Sequence, residues 1–256
     1  AAGYFRKGEG TPPGLLCLEY HVFLASMTMV VLADDAYAFM VMWETMALSS
    51  FFLVIANHRL AEIRRAGYLY LLVAHIGAIG ILLCFGVLQA NTGDYTFANM
   101  RAQHLSPFWA SIAFLLAFLG FGAKAGIVPL HIWLPEAHPA APSPVSALMS
   151  GVMLKTAIYG LLRVSFDILP MQLWWWGVLA LVIGLITALF GIGGFALGAG
   201  SLGDNSFLWH LRTGELILDH GIPRRDPFSF TAAGTHWIAQ SWLVELMYGA
   251  LSRSVG

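Results

Sequence analysis

Ionisable side chains set inside long apolar runs are the residues of this chain whose types and positions suit chemistry. Glu44 stands in FMVMWETMALSS, His75 in YLLVAHIGAIG, Lys124 in FLGFGAKAGIVPLH and Lys155 in LMSGVMLKTAIYG. A charge at the centre of a membrane helix costs about 2.5–3.5 kcal/mol on insertion scales, so each of these residues calls for a partner or a task. A glutamate and a lysine on neighbouring spans offset each other's burial. Burial weakens a lysine's hold on its proton, and a nearby carboxylate restores it. A lysine held between those influences releases and regains a proton near neutral pH, which is what a proton relay requires. Glu44 and Lys124 are the expected pair.

The neighbours of these residues fit that chemistry. Gly120, Gly122, Ala123, Ala125 and Gly126 surround Lys124, and small residues leave room for close helix approach and for water beside the ammonium. Lys155 has Gly151 one turn before it and Tyr159 one turn after it. His131 and His138 flank a proline-rich stretch and suit proton carriage between the lysines and the surface. Each has a plainer reading. Glu44 is then only the counter-charge that lets Lys124 be buried. Lys155 is a snorkelling residue, although nine positions separate it from the end of its apolar run at Val164. His75 is a packing residue, and His131 and His138 cap loops. Cys17 and Cys84 both lie in apolar runs and read as buried packing residues rather than a disulfide or metal pair. No metal site and no cofactor are expected.

The elements that must position these groups follow from composition. Of 256 residues, 58% are apolar and 11% charged, against about 25% charged in soluble domains. A soluble fold could not hide so much apolar surface, whereas lipid accepts it. The net charge of −1 offers no basic stripe to neutralise phosphates, so a nucleic-acid partner is excluded. The expected fold class is an all-α membrane protein with about six transmembrane helices, near Leu15–Ala33, Ala36–Ala56, Gly67–Gln89, Pro107–Trp133, Val145–Val164 and Leu173–Ala199. The fourth carries Lys124 and then Pro129, with Pro135, Pro139, Pro142 and Pro144 following. Such a density of proline breaks a helix, and broken helices at membrane depth mark ion sites in transporters. Arg59, Arg64 and Arg65 place the loop Asn57–Arg65 in the cytoplasm. Asp34, Asp35 and the loop Asn91–Ser106 then lie outside, and Trp174–Trp176 form an aromatic belt at the outer boundary.

The chain divides into 1–199, a transmembrane domain, and 200–256, a tail of different character. The tail holds nine of the 27 charged residues. It reads as loop, with turn signals at Pro223, Pro227 and Gly234 and a short amphipathic, interfacial helix over Trp237–Leu251.

The run KAGIVPLHIWLPEAHPAAPSPVSALMSGVMLKTAIYGLLR, Lys124 to Arg163, closely resembles the antiporter-like, proton-translocating subunits of respiratory NADH–quinone oxidoreductase, multi-subunit cation/proton antiporters and membrane-bound hydrogenases. AHPAAPSPVSALMSGVM is most similar to the large membrane subunit of formate hydrogenlyase-type hydrogenases. WETMALSSFFL resembles the family's glutamate-bearing helix and AHIGAIG its histidine-bearing helix. The resemblance covers about residues 15–192. It implies that Glu44 is the family's embedded acid, Lys124 its lysine partner on the discontinuous helix, and Lys155 the next lysine along a central hydrophilic axis. His131 and His138 match the histidines of the family's loop. The implied function is proton translocation as one subunit of a redox-driven complex. The subunit has no redox centre of its own, works with other membrane subunits, and sits in the inner membrane of a bacterium or archaeon.

Two departures qualify this. Such subunits are built from two inverted repeats, and this chain carries the first half-channel and the helix after it, without the second. The residues after Ile192 leave the family pattern, and 203–251, with DPFSFTAAG, resembles a bacterial multi-spanning glycosyltransferase-like membrane protein. In that resemblance Asp204 is the candidate acid, with a helix cap as its plainer reading. The alternatives to proton translocation are therefore a membrane glycosyltransferase fragment, or an inert chimera of two pieces.

Overall fold

The computed structural model describes residues 11–90, 92–169, 171–198, 205–222, 246, 249, 250 and 253. Asp204 and the turn signals at Pro223, Pro227 and Gly234 lie outside the described residues, as does most of the segment expected as an interfacial helix. Packing divides the chain into two compact units between Phe190 and Gly191.

Among the described residues of the first unit the backbone is helical wherever it is regular, as it must be in hydrocarbon, where every N–H and C=O has to be satisfied internally. The helices are α1 (Pro13–Leu32), α2 (Ala36–Val54), α3 (Ala61–Leu88), the short α4 (Phe97–Ala102) and α5 (Pro107–Ala125), then a tight turn Leu130–Trp133, α6 (Leu134–Ala140), α7 (Ser143–Leu148), α8 (Leu154–Leu162) and the part of α9 (Trp174–Gly198) up to Phe190. Widened helical turns at Met149–Met153 and Arg163–Ile168 join α7 to α8 and end the fifth span. Among the described residues six helical stretches are long and apolar enough to cross a bilayer: Pro13–Leu32, Ala36–Val54, Ala61–Leu88, Pro107–Ala140, Ser143–Ile168 and Trp174–Gly194. Even α2, with 19 residues, reaches about 28 Å at about 1.5 Å per residue, against a hydrocarbon core of about 30 Å. The protein is thus the all-α membrane protein that composition predicts.

Local chemistry sets the helix ends. The Asp35 carboxylate caps α2 by accepting from the Ala38 N–H at 2.7 Å. Ser106 precedes Pro107 at the start of α5 and accepts from Trp109 N–H at 3.5 Å. The fourth span is interrupted where proline density requires it, beginning at Gly126, whose φ of +77° closes α5.

Aromatic side chains fill the centre. Phe39 stacks on Trp43 at 5.6 Å between centroids, and Phe121 from α5 meets both edge-on, at 5.9 and 5.3 Å. Phe85 and Phe97 extend the cluster from α3 and α4. Large apolar side chains such as Leu32, Leu82, Phe166 and Leu181 remain on the exterior, the surface that lipid or another membrane protein covers. Both cysteines are free; Cys84 is buried and Cys17 half-buried. Trp174 is exposed, while Trp176 turns inward and stacks on Phe114 at 4.7 Å.

Three loops meet at one end of the unit, as an odd–even count of crossings requires. Ala36 N–H donates to Tyr95 O at 2.9 Å and Phe97 N–H to Asp34 O at 3.1 Å. An ionic cluster ties them together. Arg101 holds both carboxylate oxygens of Asp167 at 2.8 Å. Arg163 reaches Asp34 at 3.1 Å and Asp167 at 3.6 Å, and its guanidinium lies 4.8 Å from the Phe97 ring centroid. Tyr159 accepts from Arg163 and donates to Val31 O at 3.0 Å. At the opposite end Ala56, Asn57 and Ile63 border the break residues Pro139–Ser143.

In the second unit α10 (Asn205–His220) replaces the expected loop at the start of the tail. An ion pair between Arg212 and Glu215 at 2.8 Å supports it, and Gly221 with φ +78° ends it by donating to Ile217 O. Arg253 binds the Asp219 carboxylate at 2.6 Å.

Candidate functional site

Among the described residues of the first unit Lys124 is the most deeply placed charge, at 2% exposed. Its Nζ donates to the Tyr70 hydroxyl at 2.6 Å and sits 4.6 Å from the centroid of the Tyr70 ring. The Tyr70 oxygen is 2.5 Å from Ser50 Oγ. Ser50 in turn reaches back to Met46 O at 2.6 Å and Ala47 O at 3.0 Å on its own helix. The result is a buried polar row, Lys124–Tyr70–Ser50, crossing from α5 through α3 to α2. Trp133 covers it: its ring centroid is 5.1 Å from that of Tyr70, and its Nε1 donates to Ala123 O at 2.9 Å. Met153 Sδ lies 3.6 Å from the Tyr70 oxygen. An ammonium carries three donors, and among the described residues the Tyr70 hydroxyl is the protein oxygen that accepts from this one.

Glycine brings the row together. A Cβ at Gly77 would come within 2.8 Å of Gly120 O, and one at Gly120 within 2.6 Å of Gly77 O. Tyr70 stands two turns from Gly77 and Lys124 one turn from Gly120, toward the same end of the antiparallel pair. Their α-carbons thus lie about 10 and 6 Å along the helices from the crossing, a mismatch the long lysine side chain spans. Gly126 then lets the chain turn away after Lys124. Its positive φ, and the 2.1 Å that would separate a Cβ from Leu134 Cδ1, leave glycine as the residue that fits.

The other residues singled out in the sequence are placed apart from this row. Glu44 and Lys124, the expected pair, form no ion pair. Glu44 instead faces His75, 3.6 Å from Nε2, with the two side chains 33% and 48% exposed. The cause lies in α2: Trp43 takes the inward direction against Phe121, and its neighbour Glu44, about 100° further round the helix, is turned toward the outer edge of α3. His75 Nδ1 is 2.9 Å from Leu71 O, so Nδ1 carries the proton there and Nε2 is left to face the carboxylate. Lys155 is exposed and curls back onto Ser150 O at 2.6 Å, alongside the widened turn that precedes it. His138 Nδ1 meets Ser146 Oγ at 2.9 Å, joining α6 to α7 across the break. His131 is half-buried, its ring 6.4 Å from that of Phe190 and its Nδ1 buried without a hydrogen-bond partner.

Tyr70 and Ser50 are the polar partners that sequence reasoning missed. Tyr70 sits in AGYLYLLV, where it reads as a boundary aromatic, and Ser50 follows Ser49 in a helix where serine commonly bonds its own backbone. The usable signal was Gly77 and Gly80 on one helix and Gly120 on another, a pattern of close approach that selects which neighbour of Lys124 lies opposite it.

The family described as NADH:quinone oxidoreductase/Mrp antiporter, TM matches residues 33–198. Hydrogenase-4 component B of Escherichia coli (strain K12) is 48% identical over 194 residues, 74% of this chain and 28% of that protein. Formate hydrogenlyase subunit 3 of the same strain is 35% identical over 178 residues, 68% of this chain and 27% of that protein. Among solved structures, the Mrp complex from Dietzia sp. DQ12-45-1b aligns with a TM-score of 0.60 at 29% identity, covering 68% of this chain and 19% of that one. The chain therefore spans little more than a quarter of the length of these curated relatives. The match ends before the tail, whose resemblance to glycosyltransferase-like proteins gains no support from them. The chain belongs to the NADH:quinone oxidoreductase/Mrp antiporter family.

Proposed function

We propose, with that membership as premise, that this chain translocates protons as an antiporter-like subunit of a redox-driven membrane complex of the hydrogenase, formate hydrogenlyase or NADH–quinone oxidoreductase type. It works beside other membrane subunits in the cytoplasmic membrane of a bacterium or archaeon. The observation that carries the reading is the burial of Lys124 at a helix break, with a neutral hydroxyl rather than a carboxylate against it. A lysine so placed changes its proton affinity when a charge approaches or retreats, and a complex that moves charge during redox turnover can exploit this.

In this reading Lys124 is the central proton carrier. Glu44 with His75 is a second station, one span away and open at its edge. A carboxylate that leaves or joins the vicinity of Lys124 is the natural control on it, so the separate Glu44–His75 arrangement is one state of a switch. Lys155, exposed and close to a widened turn, hands protons onward. His131, in the tight turn after α5, and His138, in α6, connect the lysines to the surface.

The test is Lys124→Ala in the complete complex, read in inverted membrane vesicles with a dye that reports acidification. Assembly should persist and redox-driven pumping should be lost. Pumping at the wild-type rate overturns the proposal.

A further inference from the structure

We infer that Tyr70 and Ser50 act together as the counter-dipole of Lys124, a chain of neutral hydroxyls that holds the proton on the lysine where no carboxylate touches it. This rests on the reading of Lys124 as a proton carrier and names what sets its affinity.

Donor and acceptor counting fixes the direction of the chain. The Ser50 proton is directed to Met46 O, at 2.6 Å, or Ala47 O, at 3.0 Å, within its own helix. The lone pairs of Ser50 Oγ are then what the Tyr70 O–H meets at 2.5 Å. With its proton turned to Ser50, the phenol presents its own lone pairs to Lys124 Nζ at 2.6 Å. A lysine ammonium has donors and no acceptor, so this is the arrangement its charged form requires. Hydrogen bonds in series polarise one another, which strengthens the acceptor end of the row. The face of the Tyr70 ring, 4.6 Å from Nζ, adds a cation–π attraction of the same sign. The phenol keeps its proton throughout; Tyr70 is a positioning residue.

Among the described residues, the charged and titratable groups on the elements around Lys124 form no ion pair or hydrogen bond with its Nζ other than that of Tyr70. Glu44 of α2 and His75 of α3 face each other. His131, on the turn after α5, lies against Phe190. Lys155 of α8 is held by Ser150 O. Local control of the Lys124 proton therefore falls to the hydroxyl row. Met153 Sδ, 3.6 Å from the phenol oxygen, is a weaker acceptor toward which the phenol proton can turn, and that rotation would uncouple the phenol from Ser50 and weaken the row.

The test uses the complete complex in membranes and the pH profile of redox-driven pumping. Tyr70→Phe keeps the ring and removes the oxygen. The charged lysine is thereby disfavoured, so the alkaline limb of the profile should move to lower pH by about one unit, a roughly tenfold change in proton affinity, with pumping retained on the acid side. Ser50→Ala should shift the limb in the same direction by less, and the double variant should match Tyr70→Phe alone, because the groups act in series. An assembled Tyr70→Phe complex with the wild-type profile overturns the inference. Should that variant fail to assemble, an unmoved limb in Ser50→Ala overturns it. Loss of pumping in Lys124→Ala with unmoved limbs in both hydroxyl variants refutes this inference alone, whereas wild-type pumping in Lys124→Ala removes the carrier reading and this one with it.

Discussion

Gly77 of α3 and Gly120 of α5 touch through their backbones, each occupying the space that a Cβ on the other would need. That contact is the reason a tyrosine of one helix reaches the lysine of the next. The clashing atoms are carbonyl oxygens rather than flexible side-chain ends, so relief requires the helices to separate.

Gly77→Ala should therefore destabilise the protein by about 1–3 kcal/mol, the usual cost of overpacking a tight core, and should open the Tyr70–Lys124 contact and depress pumping. Gly86 is the control on the same helix, since a Cβ there meets nothing within 4 Å. Gly86→Ala should be neutral or stabilising by about 0.5–1 kcal/mol, because alanine is the better helix former. Thermal unfolding in detergent compares the two.

Glu44→Gln should leave the fold nearly intact. Its carboxylate is a third exposed and its partner His75 half exposed, and exposed pairs contribute about 0–1 kcal/mol. Pumping should nevertheless fall several-fold if the carboxylate controls Lys124. Thermal unfolding and vesicle acidification, measured on the same preparation, separate the two effects. Large destabilisation would show that Glu44 is a structural counter-charge.

Arg163→Ala should loosen the end of the bundle where Asp34, Asp167 and Tyr159 converge on one guanidinium. Hydrogen bonds to charged groups contribute about 1.5–3 kcal/mol, but Asp34 is 77% and Asp167 44% exposed, so a loss of about 1–2 kcal/mol is expected after screening. Arg163→Lys should not restore it, since an ammonium is a point donor that cannot serve several partners in one plane. The unfolding midpoint of each variant, followed against salt, checks this.

The Arg253 guanidinium hydrogen-bonded to Asp219 holds that carboxyl below its usual value of 3.8. A carboxylate depressed in the folded state adds stability above its unfolded pKa, and this is lost as pH falls through the folded value. The contact between Arg253 and α10 should thus be intact at neutral pH and released only in strong acid. In an NMR titration Arg253→Ala should move the Asp219 midpoint upward; an unchanged midpoint would show that the pair does not persist in solution.

Much of the fold was legible in the residues. The second helix was expected at Ala36–Ala56 and runs Ala36–Val54, and the fourth span was expected to break where its prolines gather. The third begins at Ala61 rather than Gly67, because Arg64 and Arg65 are carried on helical turns beyond the apolar stretch. The helix at Asn205–His220 was not anticipated: its mixed polar composition resembles loop, and its i,i+3 ion pair is a weak signal.

The sequence by itself determined the solvent and the crossings. Apolar runs of bilayer length admit helices and little else, because unpaired backbone groups are too costly in lipid. It also marked Lys124, since a charge in such a run is conspicuous. Which group faces that lysine was decided only by the tertiary structure. Helix periodicity says which residues share a face, but not how two helices are rotated and slid against each other. The Gly77–Gly120 contact and the bulk of Trp43 set that rotation, placing Tyr70 against the ammonium and turning Glu44 toward His75.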